Sequence, residues 1–188
     1  MNCAATELRP LADALLPGAA AGVVVLGYGN TLRQDDGAGP AVAERLEGAL
    51  ARAGGTCIAA HQLLPEHADA LADARLVIFV DATLTEPAGS VHWHTLEAAA
   101  SASSDTPAAA RPAGHHLRPE GVLTLARTLH GAHPQAKVVS IGAAALGHGT
   151  ELSPEAAHAV DIAAGTILFQ IMGQSASSVC APAHACTG

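Results

Sequence analysis

Residues 23–39 read VVVLGYGNTLRQDDGAG and decide the fold. The first four form a continuous apolar run rich in β-branched residues, which predicts a strand buried on both faces. A glycine-rich turn follows, and then a helix is predicted over 39–51, where Ala43, Leu46 and Leu50 recur on one face. Strand, turn and helix in this order are typical of an α/β fold.

The rest of the chain repeats this alternation. Further strands are predicted over 56–60, 76–80, 90–95 and 137–141, and further helices over 65–74, 119–129 and 154–172. Strands that alternate with helices pair in parallel with right-handed crossovers. We therefore expect a three-layer α/β domain, with one mostly parallel, open, twisted sheet flanked by helices. The functional site of such a sheet lies beyond the carboxyl ends of its strands.

The length of 188 residues fits one domain. We place this domain over 23–172, after an N-terminal extension over 1–22 and before a mobile tail over 173–188. Residues 98–114 consist mainly of Ala, Ser and Pro, which predicts a flexible loop within the domain.

Composition excludes several classes of function. The net charge of -8 argues against binding to nucleic acid or to an anionic membrane surface, because both attract basic proteins. No basic residue precedes Arg9, so the start does not resemble a secretory signal. No apolar segment is read as long enough to span a bilayer. The expected compartment is the cytoplasm.

The turn after the first strand carries two neighbouring acids, Asp35 and Asp36. A dinucleotide-binding loop would need glycine at the position of Leu32, and the acids would repel a phosphate. The same acids would attract a cation. The alternative is that the two acids lie at the start of a helix, where they interact favourably with the helix dipole and no ligand is needed.

The second candidate position is Asp81, which ends the apolar strand predicted over 76–80. It should emerge at the same edge of the sheet as Asp36. Two carboxylates placed close together repel each other, and the pKa of one rises unless a cation lies between them. The alternative is a turn aspartate that caps the loop before Pro87.

The third candidate is His115-His116, on the loop before the helix predicted at 119. Neutral imidazole is a common ligand for divalent transition metals, although these histidines could also cap the helix or face solvent. Two carboxylates and one imidazole would form a set with open positions, suited to nickel, iron, zinc or manganese.

These blocks together resemble the hydrogenase maturation proteases. LGYGNTLRQDDGAG, residues 26–39, is similar to the opening signature of that family. Asp81-Ala82 with 87–91 resembles its second block, and His115-His116-Leu117 its third. Gly147 and 152–154 resemble its closing pattern. The similarity extends over roughly 23–171, nearly the whole domain.

The resemblance implies an endopeptidase that removes the C-terminal extension of the nickel-loaded large subunit of a nickel-iron hydrogenase. The family's metal-contacting residues correspond to Asp36, Asp81 and His115, with His116 an alternative to His115. The substrate would supply the nickel, and the nickel would be the recognition mark. Asp36 or Asp81 could instead act as general base.

Two alternatives remain open. The first is a nickel-binding chaperone without peptidase activity, which would suit the many histidines, including His184 between Cys180 and Cys186. The second is a general peptidase on the same scaffold, which would need a complete metal-ligand set of its own.

Overall fold

The computed structural model describes residues 10–96 and 117–178. The strands are β1 (Val23–Tyr28), β2 (Thr56–Ala60), β3 (Leu76–Thr83), β4 (Val91–Leu96) and β5 (Gln135–Gly142). The α-helices labelled here are α1 (Ala38–Arg52), α2 (Pro119–His130) and α3 (Pro154–Ser178), and two 3-10 helices cover Gln34–Gly37 and Pro65–Leu71. The predicted flexible loop 98–114, both His115 and His116, and the tail beyond 178 lie outside the described residues.

The five strands form one sheet in the order β2-β1-β3-β5-β4. The pairs β1–β2, β1–β3 and β3–β5 are parallel, and β4 joins β5 at the edge as the one antiparallel strand of this described sheet. The predicted α/β class with a mostly parallel, helix-flanked sheet is confirmed.

The side chains of β1 alternate between two apolar cores, one on each face of the sheet. Val23 and Val25 pack with residues of α1 and α3, whereas Val24 and Leu26 pack with residues of α2 and of the 3-10 helix Pro65–Leu71. These four side chains are all buried, which explains why this part of β1 is a continuous apolar run and does not alternate with polar residues.

The register of β1 and β3 brings the two sequence motifs together. Gly27 is paired with Val80, so the residues that follow, Tyr28 and Asp81, lie side by side at the carboxyl edge of the sheet. Helix α1 packs very closely on this end of β1. A Cβ added at Gly27 would lie 1.9 Å from the carbonyl oxygen of Gly39, so a glycine is required there.

Several predicted boundaries differ from the structure. The segment predicted as a helix over 65–74 is a 3-10 helix that ends at Leu71, and α3 continues to Ser178, beyond the predicted end at 172. Residues 10–22, placed in the N-terminal extension, contribute to the main core. Leu15 and Ala20 are buried, and the Ala20 N–H donates to Ala53 O at 3.0 Å.

One helix among the described residues has the length and composition to cross a membrane. It is the 20-residue stretch Pro154–Gly173 of α3, so the expectation that no segment meets these criteria is wrong. Half of the apolar window is buried inside the domain, where side chains such as Ala163, Ile167 and Ile171 pack against the sheet. These contacts identify α3 as a core helix of the α/β domain.

Candidate active site

The turn after β1 places Asp36 directly at the carboxyl end of that strand. The Asn30 N–H donates to Asp36 Oδ2 at 3.1 Å, and Asn30 Oδ1 accepts from the Leu32 N–H at 2.9 Å. Gly29 has φ +146°, and a Cβ there would lie 1.9 Å from the Asp36 carbonyl oxygen. The glycine therefore lets the turn fold back against Asp36, as its position in the motif suggests.

The neighbouring acid, Asp35, faces the protein interior and has no exposed surface. Its carboxylate accepts hydrogen bonds from the N–H groups of Ala144 (2.8 Å), Ala145 (3.0 Å) and Ser153 (2.6 Å), and from the Ser153 hydroxyl (2.9 Å). Burial favours a higher pKa for Asp35, but these four donors outweigh it and hold the pKa below its usual value. Asp35 therefore fastens the turn to the 144–153 segment, whereas Asp36 remains at the sheet edge.

Asp81 is a largely buried carboxylate near the carboxyl end of β3. Burial raises its pKa to about 6. Hydrogen bonds from the Tyr28 hydroxyl and the Ala82 N–H oppose this rise, and the negative charge of Asp36 adds to it. The charge of Asp36 therefore acts on Asp81 across the carboxyl edge of the sheet, and a shared role of the two acids in binding a metal or in catalysis stays a prediction.

Tyr28 connects this pair to the start of α2. Burial raises its pKa, and the charge and hydrogen bond of Asp81 raise it further. Glu120 and Arg118, at the beginning of α2, also act on the Tyr28 hydroxyl. The first turn of α2 therefore lies near Tyr28 and, through it, near Asp81.

His115 and His116, predicted on the loop before α2, lie outside the described residues. The chain is described again from Leu117, and Leu117 packs against the same apolar core as Tyr28. Within 10–96 and 117–178, no three His, Cys, Asp or Glu side chains lie close enough to hold a metal ion. Asp36 and Asp81 form a pair of oxygen donors, and a third ligand from position 115 or 116 stays a prediction.

The sequence interpretation missed two residues at this site. Tyr28 could have been found from register alone, because it follows the apolar run of β1 as Asp81 follows the apolar run of β3. Gln34 has a left-handed backbone, φ 49°, that nothing in its residue type indicates.

Comparison with known proteins shows which other chains share this α/β domain. No protein-family model matches the chain, and no curated protein matches it. Solved structures do match. The hydrogenase 2 maturation peptidase from a Thaumarchaeota archaeon is 26% identical, with a TM-score of 0.57, and the match covers 79% of this chain and 97% of that one.

Two further matches come from Thermococcus kodakarensis. Its NiFe hydrogenase maturation protease HycI has a TM-score of 0.61 at 23% identity, covering 87% of this chain and 99% of that one. Its HybD has a TM-score of 0.56 at 18% identity, covering 80% and 98%. In fold and over about four fifths of its length, the chain is therefore similar to NiFe hydrogenase maturation proteases.

Proposed function

We propose that the protein is an endopeptidase that removes the C-terminal extension from the nickel-loaded large subunit of a NiFe hydrogenase. One observation carries the proposal: the register of β1 and β3 brings Asp81 and the turn that holds Asp36 to the same carboxyl edge of the sheet, in a fold similar to that of the maturation proteases. A scissile peptide held at this edge would meet both carboxylates.

Nickel enters this proposal as part of the substrate. Asp36, Asp81 and His115, or His116 in its place, would contact the nickel already held by the large subunit precursor, which makes the metal the recognition mark. A divalent ion supplies Lewis acidity to a nearby carbonyl group or water molecule. Two close carboxylates suit such a cation, because its charge offsets their mutual repulsion.

Asp81 could instead act as a general base, if it does not contact the nickel itself. Its pKa of about 6 leaves it mostly ionised near pH 7, yet basic enough to accept a proton from an attacking water molecule. Tyr28 would hold the carboxylate in one orientation by donating to one of its oxygens. We assign Asp36 the role of a charged contact to the metal, since its Oδ2 is already oriented by the Asn30 N–H.

The test is incubation of the purified protein with large subunit precursor, loaded with nickel or free of it, followed by mass measurement of the precursor. We expect loss of a short C-terminal peptide from the nickel-loaded form only. Asp36→Asn and Asp81→Asn should remain folded and fail to cleave. His115→Ala and His116→Ala, compared side by side, identify the third contact.

Full cleavage by Asp81→Asn would contradict the assigned site. Cleavage of the nickel-free precursor would contradict nickel recognition while leaving the peptidase function. Stable retention of one nickel ion per isolated protein, without cleavage of any precursor, would instead support a nickel chaperone. A cytoplasmic location stays a prediction, and fractionation of cells that express the protein tests it.

A further inference from the structure

Gln34 has the one positive φ among the non-glycine residues of the described structure, 49°. The left-handed conformation brings Cβ close to the following carbonyl oxygen, so most side chains disfavour it. Glycine would adopt it without this penalty, and asparagine tolerates it better than glutamine does. A glutamine at this position is explained only if its side chain contributes something that a shorter residue lacks.

The side chain of Gln34 reaches a second loop, residues 143–149, which follows β5. Gln34 Oε1 accepts a hydrogen bond from the Gly147 N–H at 2.9 Å. The backbone continues the contact, because the Gln34 N–H donates to Gly149 O at 2.8 Å and the Gly149 N–H donates to Leu32 O at 3.0 Å. Gln34 therefore holds the turn after β1 against the loop after β5.

The contact is close enough to constrain Gly147 as well. A Cβ added at Gly147 would lie 2.7 Å from Gln34 Oε1, although the backbone of Gly147 is not left-handed and could accept alanine. The amide of Gln34 thus occupies the space above Gly147. Any side chain at 147 has to displace that amide.

Gln34 directly precedes the two acids of the turn. The Asp35 N–H donates to Ala145 O, in the same loop, at 3.3 Å. The backbone of Asp36 lies close to Gly29, and Asp36 Oδ2 accepts a hydrogen bond from the Asn30 N–H. Since only one residue separates Gln34 from Asp36, a shift of the Gln34 backbone would move the Asp36 carboxylate relative to Asp81.

We propose that Gln34 is a positioning residue that fixes Asp36 opposite Asp81 by clamping the turn after β1 to Gly147. The role assigned to Asp36 rests on the proposed function. The clamp itself does not, so the two can be tested apart.

The first test is Gln34→Gly, which keeps the left-handed backbone and removes the amide. We expect kcat for precursor cleavage to fall by about 10- to 100-fold, the range for a small misplacement of a reacting group. The KM should stay within about twofold, and the midpoint of urea unfolding should not decrease, since glycine relieves the strain. His148→Ala, an exposed residue of the same loop, is the control.

The second test is the pair Gly147→Ala and Gln34→Gly. Gly147→Ala alone should reproduce the loss of kcat, because it displaces the amide. In the double variant the amide is absent, so Gly147→Ala should add less than about a twofold further loss. Independent, multiplicative losses would overturn the clamp, as would wild-type kcat in Gln34→Gly.

A readout without substrate separates this proposal from the proposed function. The Asn30 amide signal in an NMR spectrum reports on its hydrogen bond to Asp36 Oδ2. That signal should shift in Gln34→Gly and in Gly147→Ala and stay unchanged in His148→Ala. An unchanged Asn30 amide in both clamp variants overturns the positioning role, whatever the protein cleaves.

Discussion

The same substitution, aspartate to asparagine, should have different effects at the neighbouring acids Asp35 and Asp36. At Asp35 it should mainly lower the stability of the fold, and at Asp36 it should mainly abolish cleavage. Asp35 Oδ2 accepts from three donors, namely the N–H groups of Ala144 and Ala145 and the Ser153 hydroxyl, and Oδ1 accepts from the Ser153 N–H. An asparagine can keep the first three with its carbonyl oxygen. Its NH2 group then faces the Ser153 N–H, 2.6 Å from the replaced oxygen, and two donors meet.

The magnitude follows from these four bonds. Hydrogen bonds to a charged group contribute about 1.5–3 kcal/mol each, against about 0.5–1.5 kcal/mol for neutral ones. Asp35→Asn loses one bond, leaves a buried donor unsatisfied and weakens the three others. We expect it to lower the free energy of unfolding by about 3–5 kcal/mol, a large part of the stability of a domain of this size.

Asp36→Asn should cost at most about 1 kcal/mol, because its carbonyl oxygen can keep the bond from the Asn30 N–H. Urea unfolding followed by the fluorescence of the single tryptophan, Trp93, measures both values. Precursor cleavage should be lost in Asp36→Asn although the protein is folded. Equal destabilisation by the two variants, or a loss below about 1 kcal/mol for Asp35→Asn, would refute the assignment of Asp35 to structure and Asp36 to the site.

Three further changes probe the same edge of the sheet. Asp81→Asn should raise the free energy of unfolding at pH 7 by about 2–3 kcal/mol, since the pKa of Asp81 is raised from 3.8 to about 6 and each factor of ten in acidity is worth about 1.4 kcal/mol. The wild type loses this stability as the pH rises from about 4 to about 6, so urea unfolding at pH 4 should find no gain in the variant. Tyr28→Phe removes a donor that lowers the pKa of Asp81, so the acid limb of the kcat/KM profile should move to higher pH. Gly29→Ala should abolish cleavage and destabilise the protein, measured by urea unfolding, because its Cβ would meet the Asp36 carbonyl oxygen.

Each of these expectations has a clear contrary outcome. An Asp81→Asn variant that is less stable than the wild type at pH 7 would mean that the charge of Asp81 is compensated in the free protein. A Tyr28→Phe profile identical to that of the wild type would rule out a hydrogen bond that matters for Asp81. Normal cleavage by Gly29→Ala would mean that the turn does not constrain Asp36.

The sequence predicted those parts of the fold that depend on local pattern. The apolar runs at 23–26 and 76–80 identified the two central strands, because a strand buried on both faces has no polar alternation. The parallel topology then placed Asp36 and Asp81 at one edge, since parallel strands end on the same side of the sheet.

The features that the sequence did not predict depend on contacts between residues that are far apart in the chain. The hydrogen bonds of Asp35 to Ser153 join residues 118 positions apart, and nothing near either one indicates the partner. The left-handed backbone of Gln34 is stabilised by the loop at Gly147 and Gly149, against the preference of its own side chain. A helix was predicted over 65–74, but Pro65–Leu71 forms a 3-10 helix that packs beside α2. At its start, the His67 ring accepts a hydrogen bond from the Leu64 N–H at 2.9 Å.

Under the proposed function, a cation carried by the substrate would offset the cost of burying Asp81. Burial raises the pKa of Asp81 and the charge of Asp36 adds to the rise, so the ionised form of Asp81 is unfavourable in the free protein. The domain tolerates the cost because Asp35, one residue from Asp36, is held by four donors and fixes the turn. A substrate that carries nickel would remove the repulsion on binding, whereas the same substrate without nickel would leave it in place. Discrimination between the two forms would then come from an electrostatic cost already built into the sheet edge, and no separate metal-sensing element would be required.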